Sequence, residues 1–170
     1  MDYKIPFRGL REGKHRYEFN IDDKFFKTIS ESDIKQGKLV AVVELIKRKT
    51  GIESFFDISG EVKVVCDRCL DDFYYPVEFK GKLFFEFGDE TKEVSDELLI
   101  LSGSENYLEL DKYIYEFINL SLPLQKFHSE DKDGNSLCNA DMLAKLNAMI
   151  VNNDDEIDDP RWDKLRDLIN

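Results

Sequence analysis

The residues in this chain best suited to chemistry are Cys66-Asp67-Arg68-Cys69. Two thiolates separated by two residues can grip one Zn²⁺ from a tight turn, and a tetrahedral site then needs two further ligands. Beyond this pair the 170 residues contain one more cysteine, Cys138, and two histidines, His15 and His128. Cys66, Cys69, His128 and Cys138 are therefore the candidate metal ligands, with zinc as the candidate cofactor. The interval from His128 to Cys138 is looser than in zinc fingers, and there is no second CxxC. Two other readings stay open: thiols packed or exposed without a metal, and a redox-active pair. A thioredoxin-like couple wants its CxxC at the start of a helix that follows a strand, whereas here a second strand pattern follows.

Other catalytic signatures are missing from the sequence. None of the nine glycines opens a GxGxxG, no Gly-Lys continues into Ser or Thr, and neither HExxH nor GxSxG occurs. The carboxylates at Asp154-Asp155-Glu156 and Asp158-Asp159 sit in a polar run and read as a solvated segment. The expectation is a protein without catalytic residues.

Charge separates the chain into unlike halves. Residues 1–85 carry 16 basic and 15 acidic side chains, and residues 86–170 carry 8 and 21, so nearly all of the net charge of -12 belongs to the second half. An acidic surface repels polyanions, so any RNA contact falls to the N-terminal half, where Arg8, Arg11, Lys14 and Arg16 form one basic cluster and Lys47, Arg48 and Lys49 another. The acidic half suits a basic protein partner. Hydrophobic residues make up 42% of the chain and aromatics 12%, which excludes wholesale disorder, while 35% charged residues argue against a membrane protein. No apolar run approaches the roughly 18 residues of a membrane span. The first residues lack the basic and apolar regions of a secretory signal, which together with three cysteines, an odd count that cannot all pair within one chain, leads to the expectation of a cytoplasmic protein.

These residues must be positioned by a β-rich scaffold. Ile52, Ser54, Phe56, Ile58, Gly60, Val62, Val64 and Cys66 alternate with polar residues, as do Phe73, Tyr75, Val77, Phe79, Gly81, Leu83, Phe85 and Phe87 after the CxxC. The spacing predicts two long antiparallel strands joined at the CxxC, the first bulged at Gly60. Further strands are expected over 3–10, 16–21, 37–50 and 107–110, and a short helix over 22–30. Residues 89–97 read as an acidic loop. Ile114, Phe117 and Ile118 recur at helical spacing, with Asp111 as the expected N-cap and Pro123 beyond the end. Residues 126–138 read as a polar loop, and Asn139 as the cap of a helix carrying Met142, Leu143, Leu146 and Ile150. Residues 152–158 are acidic and expected to be mobile, and 160–169 form an amphipathic helix. The candidate partner-binding residues are Arg68 at the turn and Arg161 and Trp162 in that last helix.

Four blocks, in order, resemble the YceD family of large ribosomal RNA subunit accumulation proteins. They are Cys66-Asp67-Arg68-Cys69-Leu70; Leu120-Ser121-Leu122-Pro123-Leu124 running into Phe127-His128-Ser129-Glu130; Leu137-Cys138-Asn139-Ala140-Asp141-Met142; and Asp159-Pro160-Arg161-Trp162 with Leu165 and Leu168. The loop between His128 and Cys138 is longer than the family's. The resemblance implies a cytoplasmic factor without known catalysis that supports synthesis, processing or stability of 23S ribosomal RNA. The expected architecture is a single α+β domain over 1–170, an antiparallel sheet of long strands, in one form a partial barrel, with helices from the C-terminal half packed on it. Its expected partners are a large-subunit ribosomal or assembly protein, met through the acidic half, and ribosomal RNA, with no membrane. Two rivals remain: a zinc-binding structural adaptor without an RNA role, and a Cys-dependent redox protein.

Overall fold

The computed structural model describes residues 3–30 and 32–149. Strand β1 (Lys4–Pro6) is followed by β2 (Gly13–Ile21), helix α1 (Asp23–Thr28), and the three long strands β3 (Gly37–Lys47), β4 (Gly51–Val65) and β5 (Asp72–Gly88). Then come β6 (Lys92–Ser95), β7 (Leu98–Ser102), β8 (Tyr107–Glu109), α2 (Asp111–Ser121) and α3 (Ala140–Met149). One sheet has six strands in the order β2-β3-β4-β5-β7-β6, and β1 pairs with β8 in a second sheet of two.

Alternation in β4 and β5 sets the core face. Ile52, Ser54, Phe56, Ile58, Val62 and Val64 are buried, and so are Val77, Leu83 and Phe85 opposite them, while Glu61, Glu78 and Lys80 point to solvent. Leu39, Ala41, Val43 and Leu45 of β3 continue this face. Helix α2 closes it with Ile114, Phe117 and Ile118, the Phe117 ring lying 5.0 Å from Phe56 and 4.6 Å from Phe79. Such aromatic pairs add roughly 0.5–1.5 kcal/mol beyond the area they bury. On the outer face Asp57 pairs with Lys80 directly across the ladder at 3.2 Å.

Several expectations are corrected. The sheet does not close into a barrel, since β2 and β6 are its edges, and it is not wholly antiparallel, since β5–β7 is a parallel pair. The short helix expected over 22–30 forms as α1 and inserts Phe25 and Phe26 into the core, so the sheet is not packed by second-half helices alone, and α3 packs beside the cysteines and not on the sheet. Residues 89–97 are not a plain loop, since β6 forms there and pairs with β7. No bulge occurs at Gly60: the β3–β4 register runs through it without a slip, and its φ of +147° answers a close approach instead, since a Cβ there would lie 2.3 Å from the Lys38 carbonyl oxygen. Leu110 and not Asp111 holds the N-cap position of α2, leaving the Asp111 carboxylate in the first turn, where the helix dipole favours it. Asp22 caps α1, accepting from the Lys24 N–H. No helix among the described residues is long and apolar enough to cross a membrane.

Candidate metal centre

The CxxC occupies the turn between β4 and β5, and each residue of that turn has a local task. The Leu70 N–H donates to the Cys66 carbonyl and the Cys66 N–H to the Asp71 carbonyl, both at 2.9 Å. Folding back this tightly puts Leu70 at φ +63°, a left-handed conformation rare outside glycine, and turns both sulfurs inward. Asp67 ties the turn to a distant segment: its N–H donates to the Lys126 carbonyl at 2.8 Å, and its carboxylate accepts from the Lys126 N–H at 2.6 Å. The Arg68 guanidinium lies 4.7 Å above the Phe127 ring. His128 follows, its ring 4.4 Å from Phe73 of β5.

The interval between His128 and Cys138 is closed by its own backbone. The Asp131 carboxylate accepts from the N–H groups of Asp133 and Asn135 at 2.9 and 2.8 Å, Glu130 bridges to Ser136, and the Leu137 N–H donates to the Ser129 carbonyl. This excursion brings its two ends together, so a spacing that looked loose in sequence delivers Cys138 next to His128. Asn139 then caps α3 with its side-chain oxygen, as expected, and its amide donates to Asp71 at 3.0 Å, linking the helix start to the CxxC turn.

All four donor atoms lie within 4.8 Å of one another. Cys66 Sγ is 3.7 Å from Cys138 Sγ, and Cys69 Sγ is 3.4 Å from His128 Nδ1. With Zn–S near 2.3 Å and Zn–N near 2.0–2.1 Å, the edges of a tetrahedron are about 3.8 Å for S···S and about 3.6 Å for S···N. The donor set is compatible with zinc in both chemistry and spacing. The three cysteines are free and buried. Burial works to raise the Cys66 thiol, but the N–H groups of Cys69, Arg68 and His128 and the His128 imidazole favour its thiolate and bring it from 9.0 down to about 6. The Ser136 hydroxyl favours the Cys138 thiolate, yet burial and the neighbouring Cys66 and Cys69 sulfurs hold that thiol above its ordinary value.

This centre is where the chain can be compared with known proteins. The family model of the large ribosomal RNA subunit accumulation protein YceD matches residues 56–169, about two thirds of the chain and all four donors. The chain belongs to the YceD family. Neither curated proteins nor solved structures give a match to it. The YceD match begins within β4, so β1 to β3 lie outside the matched region.

The other candidate residues of this YceD-family chain are placed as follows. Pairing of β2 with β3 sets Gly13 opposite Lys47, which brings the two basic clusters to one end of the sheet. Several of their charges are engaged: Lys47 donates to the carbonyls of Phe7 and Leu10, Arg48 pairs with Glu53 at 2.8 Å, Arg16 approaches Glu44 at 3.9 Å, and Arg8 donates to the Glu105 carbonyl. Arg11, Lys14 and Lys49 are exposed. Arg161, Trp162, the acidic segment 152–158 and the helix expected over 160–169 lie outside the described residues. Sequence reasoning missed the tethers Asp67, Asp71 and Lys126. The two acidic neighbours of the cysteines were the available signal, since a carboxylate beside a turn readily accepts backbone or amide hydrogens.

Proposed function

We propose that this chain is a non-enzymatic factor of large-subunit ribosome biogenesis that supports synthesis, processing or stability of 23S ribosomal RNA, and that a zinc ion held by Cys66, Cys69, Cys138 and His128 Nδ1 braces its second half. The observation that carries the reading is the family match over residues 56–169, which contains the whole donor set. Four protein donors fill a tetrahedral site and leave no open position for substrate or water, which favours a structural ion over a catalytic one. The ion's chemistry is cross-linking: it ties the β4–β5 turn to the segments on both sides of the 129–137 excursion.

In this reading the protein acts in the cytoplasm, its acidic half docks on a basic large-subunit ribosomal or assembly protein, and RNA is met through the basic end of β2 and β3. The test is sucrose-gradient sedimentation of cell extract with and without ribonuclease, together with 23S levels in cells lacking the protein. Travel with large-subunit precursors and a fall in mature 23S RNA are expected. Unchanged precursor profiles, or a protein that stays at the top of the gradient, would reject the reading.

A further inference from the structure

A groove of about 610 Å³ runs between α2 and the β6–β7 edge of the sheet. Its floor is apolar, made by buried Leu99 and Phe117. Its mouth carries two aliphatic side chains turned to solvent, Leu120 at 72% exposure and Val94 at 53%. Val94 is exposed for a structural reason: the β6–β7 register slips between Glu93 and Ser95, so it is the unpaired residue of a bulge. On its far side β6 pairs with no other strand among the described residues, so the groove runs alongside an open sheet edge.

The rim is acidic, with Glu93, Asp96 and Glu116 against the single cation Lys112. Lys112 is already committed, 2.5 Å from Glu93 and 3.8 Å from Glu116. The surrounding chain adds to the field, since residues 86–120 hold ten acidic and two basic side chains. Such a rim repels nucleic acid and anionic lipid and attracts cations, while the floor and mouth need an apolar side chain to cover them.

Resting on the biogenesis reading above, and naming the surface its acidic half would use, we infer that this groove docks a lysine- or arginine-rich protein segment that inserts an aliphatic side chain between Val94 and Leu120. Charge complementarity selects the occupant. The chain's own residues 160–169 are a poorer match, because Asp163 and Asp167 offset much of the charge of Arg161, Lys164 and Arg166.

The experiment measures fluorescence anisotropy of a labelled peptide of alternating lysine and leucine against the full chain, beside lysine–serine and glutamate–leucine peptides of equal length. Saturable binding of the lysine–leucine peptide alone is expected. Asp96→Lys with Glu116→Lys should weaken it by about tenfold or more, and Glu61→Lys with Glu78→Lys, an equal charge change on the outer face of the sheet, should leave it within about twofold. Leu120→Asp separates a groove from a general field, because it adds negative charge while removing apolar surface. Loss of binding in that variant supports the groove, and equal or tighter binding overturns it. Val94→Asp serves the same purpose if circular dichroism finds Leu120→Asp misfolded. Failure of the lysine–leucine peptide to saturate, or equal loss in the outer-face pair, also overturns the inference. Gradient sedimentation beside the peptide assay keeps the two readings apart. A Leu120→Asp protein that binds the lysine–leucine peptide as wild type does sinks the groove alone, whereas a wild-type protein that never travels with precursors sinks the biogenesis reading whatever the peptide shows.

Discussion

If zinc fills the proposed Cys66, Cys69, His128 and Cys138 site, removing it should unfold one part of this protein and leave the rest standing. The cysteines, with Phe73, Phe127, Met142 and Leu143, form an apolar cluster of their own, which shares only Phe73 with the main core. Helix α3 hangs from it with no fully buried side chain, and its ten residues fall short of the roughly 12–15 at which an isolated helix becomes even marginal in water. Its order therefore depends on what holds residues 126–142 in place. Structural zinc supplies about 10–16 kcal/mol of apparent binding energy at neutral pH, and losing one of four ligands, about a quarter of that, weakens binding roughly a hundredfold or more. Cys138→Ser or chelation should thus release the ion and melt α3. Among the described residues α3 supplies ten helical positions against eleven in α2 and six in α1, so the helical circular-dichroism signal should fall by about a third of what these three helices contribute. Limited proteolysis should open within 126–149, while the sheet keeps its cooperative melting transition. Purified, reduced protein without stoichiometric zinc would refute the reasoning, and so would a chelated protein whose helix signal is unchanged or whose sheet unfolds together with α3.

Other perturbations address the scaffold. Phe117→Ala removes the ring that packs on Phe56 and Phe79 and should cost about 3–5 kcal/mol in denaturant unfolding, against under about 0.5 for Glu78→Ala on the outer face. Ser54 is buried on the core face with no hydrogen-bond partner for its hydroxyl, so Ser54→Ala should be neutral or stabilise by up to about 1 kcal/mol; a clear loss in melting temperature would contradict this. Gly60→Ala should destabilise by roughly 2–4 kcal/mol, and by more than Gly13→Ala, because both sites have positive φ but only at Gly60 does the new methyl meet backbone. Burial, with Glu93 and Glu116 nearby, pushes the Tyr113 phenol up from 10.0 to about 12. The fold therefore favours the protonated phenol, so this contribution is whole below pH 10 and is lost as pH rises through 12. Stability should fall across that window, and less steeply in Tyr113→Phe.

The long strands were legible in the sequence because period-2 alternation is a local property. Once Phe56, Ile58 and Val62 share a face with Val77, Leu83 and Phe85, a register slip of one residue would turn every apolar side chain into water. The Asn139 cap was legible for the same reason, since a cap bonds within its own turn. So were the four donors, because so few cysteines and histidines exist to choose from. Strand β6 was not legible: none of its four residues is buried, so no hydrophobic pattern marks it, and it exists because β7 offers it an edge. The parallel β5–β7 pairing, and with it the open sheet, likewise depends on where the chain between them can cross. Only tertiary structure decided that His128 and Cys138 meet the CxxC. Their meeting needs the Asp67–Lys126 and Asp71–Asn139 tethers and the self-closed 129–137 excursion, and such contacts join residues far apart in sequence through backbone geometry that no local spacing encodes.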